Sequence, residues 1–89
     1  MDRVIYKYPI TNGQASYELP CTSRVLHVGE QDGELFVWVD RPGPNQFVID
    51  LTHYFYVVGT GWAVPYGTYV GTVQMDAGHV WHVYTEREE

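Results

Sequence analysis

The chain has little cysteine, few positive charges and no long apolar run. Its 89 residues include one cysteine, Cys21, so no internal disulfide can hold the fold. The first residues lack the apolar run of about 7–15 residues that a signal peptide needs. No segment approaches the ~20 consecutive apolar residues of a membrane span. These absences predict a domain of a reducing cytoplasm with no membrane partner.

Positive charge is the scarcest property. Five Lys and Arg face eleven Asp and Glu, which gives a net charge of −6. Proteins that bind nucleic acid are usually basic, because phosphate neutralisation supplies much of their affinity, so direct nucleic-acid binding is not expected. Three Trp, eight Tyr and three Phe also exclude a disordered chain. An acidic, aromatic-rich globular domain remains.

Period-two alternation of apolar residues runs through nearly the whole sequence, whereas no long segment has helical periodicity. This pattern predicts an all-β fold of about seven antiparallel strands, as a small sandwich or barrel. Residues 1–85 would form a single domain, and residues 86–89 an acidic tail. The predicted strands are 3–8, 14–19, 24–30, 34–40, 46–58, 69–75 and 79–84.

Turn residues mark the strand ends. Asn12-Gly13, Asp32-Gly33 and Asp76-Ala77-Gly78 are predicted tight turns, and Pro9 and Pro20 are predicted to end strands. The long segment 46–58 is expected to be one bent strand or two short strands, with a break at a bulge near residues 51–52. In the run 35–39 the alternation predicts Leu35, Val37 and Val39 on one face and Phe36 and Trp38 on the other.

No arrangement of residues predicts a metal or a nucleophile. His79 and His82 are three apart on a predicted strand, so their side chains would point to opposite faces and could not chelate together. Cys21 has no partner cysteine at metal-binding spacing, and a lone cysteine in a small domain is usually a small buried hydrophobe. We therefore expect no metal site and no catalytic cysteine.

Carboxylates and glycines do not predict catalysis either. Most acids flank turns, where Asp and Glu are commonly solvated. Gly59-Thr60-Gly61 lacks the third glycine of a dinucleotide fingerprint, since Val64 stands there, and Pro65 prevents the helix that should follow. The sequence predicts a strand-ending turn at this point, no cofactor and no enzyme activity.

Charge is nearly absent from one half of the chain. The forty-four residues 42–85 contain only two charged side chains, Asp50 and Asp76, and no Lys or Arg. Nine of the fourteen aromatic residues lie in the same segment, and a domain this small cannot easily bury them all. We therefore expect part of this half to form an exposed aromatic surface that contacts another molecule.

The predicted contact surface combines acidic turns with aromatic anchors. Tyr and Trp are the residues most often found at the centre of protein interfaces. The predicted acids are Glu30, Asp32, Glu34 and Asp76, the principal anchors are Trp62 and Tyr66, and Trp38, Tyr54 and Tyr56 complete the set.

A series of short motifs also resembles a known group of proteins. The segments are Tyr6-Lys7-Tyr8-Pro9, residues 24–28, Val39-Asp40, residues 58–65, residues 69–74 and Val80-Trp81-His82-Val83-Tyr84. Over nearly the whole chain and in this order, they resemble a family of small uncharacterised bacteriophage or prophage proteins. The resemblance implies a viral protein acting in the host cytoplasm, and it brings no catalytic or binding residues with it.

Three functions are compatible with these observations. The first is a non-enzymatic inhibitor, of the anti-CRISPR or another anti-defence type, that binds a host protein, which could belong to a nucleic-acid-binding defence complex. An acidic surface could occupy a basic site made for nucleic acid. The alternatives are a protein that binds or sequesters a signalling nucleotide and a minor virion or assembly component. A homodimer is compatible with any of them.

Overall fold

The computed structural model describes residues 2–88 and contains seven antiparallel strands in two sheets. The predicted all-β fold is confirmed, and the two sheets stack as a sandwich without closing into a barrel. The strands are β1 (Arg3–Ile10), β2 (Gln14–Pro20), β3 (Arg24–Gln31), β4 (Glu34–Pro42), β5 (Asp50–Gly59), β6 (Thr68–Gln74) and β7 (Val80–Arg87).

One sheet has the strand order β1-β4-β3 and the other the order β2-β5-β7-β6. The β3–β4 and β6–β7 connections join neighbouring strands, the second through a 3₁₀ turn at Asp76–Gly78. The turn at Asn12-Gly13 forms as predicted, but it joins β1 to β2 in the opposite sheet rather than closing a hairpin within one sheet. No helix within residues 2–88 is long and apolar enough to cross a membrane.

The core lies between the two sheets, and β4 supplies its centre. Leu35, Val37 and Val39 are buried on one face of β4, as the alternation predicted. Val37 and Val39 have no exposed surface, and the same is true of Phe55 and Val83 in the facing sheet. Removing such side chains from water is the main favourable term in folding, at about 1.5–3 kcal/mol for each large apolar residue.

Two tyrosines join the sheets where β1 passes over β2. The ring centroids of Tyr8 and Tyr17 are 4.9 Å apart, and Tyr17 also contacts Phe55 at 6.4 Å. The Tyr17 hydroxyl donates a 2.5 Å hydrogen bond to the carbonyl of Pro9, and Arg41 donates to the Tyr8 hydroxyl at 3.1 Å. Desolvation, followed by the nearby Tyr8, raises the pKa of Tyr17. These contacts keep β1 and β2 together although they belong to different sheets.

Two local predictions about strand regularity are wrong. Pro9 does not end β1, which pairs with β4 as far as Ile10. β1 is an edge strand with one neighbour, so only every second N–H is needed for pairing and a proline is tolerated. The expected bulge near residues 51–52 is absent, because β2 and β5 pair in continuous register there. Register shifts occur instead at Val25/His27 and at Tyr69/Gly71.

Two predicted boundaries also change. Residues 46–49 are not a strand: β5 begins at Asp50, and Phe47 before it is wholly exposed. The loop is held to the N-terminal segment instead, since Gly43 N–H donates to the carbonyl of Asp2 at 3.0 Å. At the other end, Glu86 and Arg87 belong to β7 and pair with β5. The first two residues of the expected tail 86–89 thus lie in a strand, and Glu89 lies outside the described residues.

Gly71 should be essential to the approach of the two sheets. A Cβ atom added at Gly71 would lie 2.9 Å from Cγ1 of Val28 on β3. We expect Gly71→Ala to lower the free energy of unfolding by about 1–3 kcal/mol, as overpacking does. Urea denaturation would measure the change.

The matched control is the double variant Gly71→Ala/Val28→Ala, in which the new methyl group occupies space that Val28 leaves. Its destabilisation should be smaller than the sum of the two single variants, because the two changes compensate. Strictly additive effects would show that the contact does not limit the packing of β3 against β6.

Candidate functional site

Three connecting segments meet at one end of the sandwich, which we call the turn end, and border a groove of about 540 Å³. They are the β1–β2 turn, the β3–β4 turn and the segment around Trp62. Asn12 and Asp32 have φ values of 56° and 54°, and the glycines that follow them have 82° and 83°. Asn-Gly and Asp-Gly tolerate consecutive positive φ values better than most dipeptides do. They therefore form tight turns here, and these turns leave the groove open.

Trp62 stands at the edge of this groove. The Gly59-Thr60-Gly61 turn positions it, with a 3.1 Å hydrogen bond from Trp62 N–H to the Gly59 carbonyl. A Cβ atom at Gly59 would lie 2.8 Å from the indole, so the glycine lets the ring lie flat against the backbone. The rings of Trp62 and Trp81 meet edge to face at 5.8 Å, yet Trp62 remains 62% exposed.

The groove has an apolar floor and an acidic margin. Its apolar lining residues are Ile10, Leu35, Val57, Trp62, Met75 and Trp81. Glu34 is the charged residue in the lining, and Glu30 accepts a 2.6 Å hydrogen bond from Gly33 N–H in the adjoining turn. Among the described residues that line the groove there is no Lys or Arg. The site is therefore suited to an apolar side chain with a cationic group beside it.

The structure brings together only part of the predicted contact surface. Glu30, Asp32, Glu34 and Trp62 meet at the turn end, and Asp76 follows the groove residue Met75 in the chain. Of the two predicted principal anchors, Trp62 lies beside the predicted acids and Tyr66 does not. The remaining aromatic residues of the prediction lie on other surfaces.

Tyr54, Tyr56 and Tyr66 form part of a tyrosine face on the outside of the four-stranded sheet. Cross-strand partners share a face, and Tyr56 is paired with Tyr84, which is paired in turn with Tyr69. The rings of Tyr54 and Tyr56 are nearly parallel at 6.3 Å, and Tyr66 meets Tyr56 edge-on at 5.6 Å. These contacts order five tyrosines into one surface.

Trp38 lies on the third surface, the outside of the three-stranded sheet. It is half-buried between His27 at 5.7 Å and Phe36 at 6.3 Å. Three of the five cationic residues, Arg3, Lys7 and Arg24, have register positions on this side, whereas the charged residues on the outside of the four-stranded sheet are Glu18, Asp50 and Glu86. Trp38 is therefore not adjacent to the acidic groove.

A hydrogen-bonded row on the four-stranded sheet was not foreseen from the sequence. Both ring nitrogens of His82 are engaged, Nε2 with the Thr60 hydroxyl at 2.9 Å and Nδ1 with the Thr72 hydroxyl at 3.0 Å. The Tyr69 hydroxyl continues the row to Thr72 at 2.6 Å. The threonines come from a turn and a neighbouring strand, so only the strand pairing reveals the contact. The row fixes the histidine ring beside the tyrosine face.

Within residues 2–88, no three His, Cys, Asp or Glu side chains lie close enough together to hold a metal ion. His79 precedes β7 and contacts Trp81 at 5.8 Å, while His82 lies within the strand. His53 is buried on the inner face of β5.

The seven strands in two stacked sheets define a small antiparallel β-sandwich. A scan against protein-family models matches residues 1–89 with the family described as Domain of unknown function (DUF7352), and the chain belongs to this family. Searches of the curated proteins and of the solved structures each found no match.

Tyr56 should make the stability of the protein sensitive to alkali. Desolvation, followed by its interactions with Tyr66, raises the pKa of Tyr56 from 10.0 to about 12. In strong alkali the unfolded chain therefore loses this proton before the folded chain does. The contribution of Tyr56 to stability is complete below pH 10 and is lost as the pH rises toward 12.

Urea unfolding at several pH values between about 9 and 11.5 would measure this loss. The free energy of unfolding falls as the pH rises wherever the unfolded state binds fewer protons than the folded state. Tyr56→Phe should reduce the loss over this range. Tyr6→Phe, on β1 of the other sheet, is the control. Identical pH profiles for wild type and Tyr56→Phe would contradict the assignment.

Proposed function

We propose that the protein is a non-enzymatic inhibitor that binds a host protein through the groove at the turn end. The observation that carries the proposal is the exposed indole of Trp62 beside Trp81, with Glu34 on the groove wall. A well-ordered aromatic anchor at the mouth of an apolar pocket is a common centre of binding energy in protein interfaces.

The charge around the groove indicates the chemistry of the partner. Glu30, Asp32 and Glu34 lie on consecutive alternate positions around one turn, in a protein of net charge −6. A partner with Arg or Lys beside an apolar side chain would pair with these carboxylates and place the cation near the indole ring. Surfaces that bind nucleic acid typically carry Arg and Lys residues of this kind in clusters.

The resemblance to bacteriophage proteins supports the choice of host partner. A viral protein of the host cytoplasm that carries an acidic, aromatic surface would compete with nucleic acid for a basic site on a defence protein. We therefore propose an anti-defence inhibitor, of which an anti-CRISPR protein is one type. The competition would follow from charge and shape complementarity and would need no chemistry in the inhibitor.

The test is capture from a bacterial lysate followed by reconstitution with the purified partner. Trp62→Ala should weaken binding at least about tenfold, as loss of a central interface tryptophan does. Trp38→Ala, the same substitution on the outside of the three-stranded sheet, should leave it unchanged. Circular dichroism of both variants would establish that the sandwich still folds.

Charge provides a second pair of variants. Glu34→Gln should weaken binding and reduce its dependence on salt, whereas Asp50→Asn, which removes an exposed acid from the start of β5, should do neither. The captured protein should bind nucleic acid and lose it when the inhibitor is added.

Three results would overturn the proposal: no stoichiometric partner, a partner that binds Trp62→Ala as tightly as wild type, or a second copy of the chain as the occupant of the groove. Light scattering of the purified protein would identify the last of these, and it would favour a role in assembly.

A further inference from the structure

Three members of the tyrosine face form a row across the four-stranded sheet. Tyr56 on β5 is paired with Tyr84 on β7, and Tyr84 is paired in turn with Tyr69 on β6. Neighbouring strands are about 4.8 Å apart, so the row from Tyr56 to Tyr69 spans about 9.6 Å. The row is therefore an aromatic surface with a regular spacing, which the strand pairing fixes.

The rings of the tyrosine face meet at steep angles. Tyr66 contacts Tyr56 at 5.6 Å with 79° between the ring planes, and Tyr69 contacts Tyr84 at 5.6 Å with 63°. Tyr66 is 58% exposed and Tyr69 is 54% exposed, whereas their partners are half-buried. Each edge-to-face pair thus presents a stepped apolar surface, against which a compact apolar ring can pack.

The charge beside these rings is negative. Among the strand residues described for this sheet, those that are charged and face outward are Glu18, Asp50 and Glu86. Glu86 is paired with Tyr54 and follows Tyr84 by two residues on β7, so its side chain lies on the same face beside the row. Two copies of this face would bring like charges together, whereas a ligand with a cationic group beside its apolar part would be attracted.

The spacing of the row matches one turn of a polyproline II helix. This helix has three residues per turn and a rise of about 3.1 Å, so prolines three positions apart are separated by about 9.3 Å. A segment that crosses the strands in this conformation would place successive prolines over Tyr56 and Tyr69. The same-face repeat of a β-strand, about 6.8 Å, and the turn of an α-helix, about 5.4 Å, do not match.

Tyrosine also suits the chemistry of a proline-rich segment. A polyproline II helix has no internal hydrogen bonds, so its carbonyl oxygens accept from other groups, and proline itself has no N–H to donate. Tyrosine supplies a hydroxyl donor at the end of an apolar ring. Aromatic surfaces are a recurring means of binding proline-rich segments, which are extended before they bind and lose little entropy.

We propose that the tyrosine face binds a proline-rich segment of another protein in the polyproline II conformation, with a basic residue that pairs with Glu86. Prolines three positions apart would pack on the two edge-to-face ring pairs, and an arginine beside them would contact the carboxylate. This surface is separate from the turn-end groove, and the inference does not rest on the inhibitor function proposed for that groove.

Fluorescence anisotropy with labelled synthetic peptides would test the proposal. The probe has proline at two of every three positions over about three turns and two arginines at one end. It should bind with one site per chain, at least about tenfold more tightly than a peptide with glycine in place of every proline, because the flexible chain loses more entropy on binding. Replacement of the arginines by glutamates should also weaken binding, because Glu86 would repel them.

Matched aromatic variants locate the peptide on this face. Tyr66→Ala and Tyr69→Ala, which truncate exposed rings, should each weaken binding of the probe about tenfold. Tyr6→Ala makes the same change at a 43% exposed tyrosine on β1 of the other sheet and should leave binding unchanged. Circular dichroism of the three variants would establish that each is folded.

A pair of acid variants tests the role of charge. Glu86→Gln should reduce the preference for the arginine peptide over a peptide with glutamine in place of the arginines. Asp50→Asn removes an acid from the other end of β5, about 20 Å from Tyr56, and should leave that preference as it is in the wild type.

NMR chemical-shift changes in the wild-type protein provide a measurement that does not depend on the folding of any variant. On addition of the probe they should centre on Tyr56, Tyr69, Tyr84 and Glu86. The proposal is overturned if the proline and glycine peptides bind equally or neither binds at millimolar concentration. It is also overturned if the shifts centre on Trp62, since the peptide would then occupy the groove, or if light scattering shows a dimer that Tyr69→Ala disrupts, since a second copy would then cover the tyrosine face.

Discussion

The structure depends on one apolar layer, in which the inner side chains of β4 face those of β5 and β7. Val37, Val39, Phe55 and Val83 have no exposed surface, and nowhere else within residues 2–88 is there a comparable set. A chain of 89 residues buries only about 60–65% of its unfolded surface, so there is little apolar material to spare. The strand order, the crossing of β1 over β2 and the close contact at Gly71 all serve to complete this layer.

Because the layer is short, it does not extend to either end of the sandwich, and the two ends are completed differently. At the turn end, Trp62 and Trp81 continue the apolar surface outward and leave it partly exposed. At the opposite end, His53 and Ser23 stand in place of apolar residues, and both line a cavity together with Arg87. A single layer of limited length therefore accounts for the contrasting composition of the two ends of the sandwich.

The strands and most turns could be predicted because they depend on local pattern. The alternation of residues 35–39 and the Asn-Gly and Asp-Gly turns needed only near neighbours. The local pattern predicted the wrong strand end at Pro9 and a strand at residues 46–49 that does not form. In both places the result depends on how many neighbouring strands the segment has, which the local pattern does not contain. An apolar sequence such as Phe47–Ile49 looks like a strand until it is known that no partner strand reaches it.

The same distinction separates the two ends of the sandwich. Trp62 and the acids around Gly33 could be identified from composition, although their meeting at one groove depends on the pairing of sheets. The cavity at the opposite end could not be found from sequence, because Ser23, His53 and Arg87 come from three separate parts of the chain.

The distribution of charge between the two sheets has a consequence for motion in solution. Arg3, Lys7 and Arg24 belong to the outside of the three-stranded sheet, where Asp40 pairs with Arg3, while the charged residues outside the four-stranded sheet are acidic. This difference in charge between the two outer faces gives the domain a dipole moment in the direction that separates the sheets. In the field of a highly charged macromolecule it will rotate before contact, within a screening length of about 10 Å at 0.1 M salt. The sheet that faces the target at first contact then depends on the salt concentration and on the sign of the target's charge.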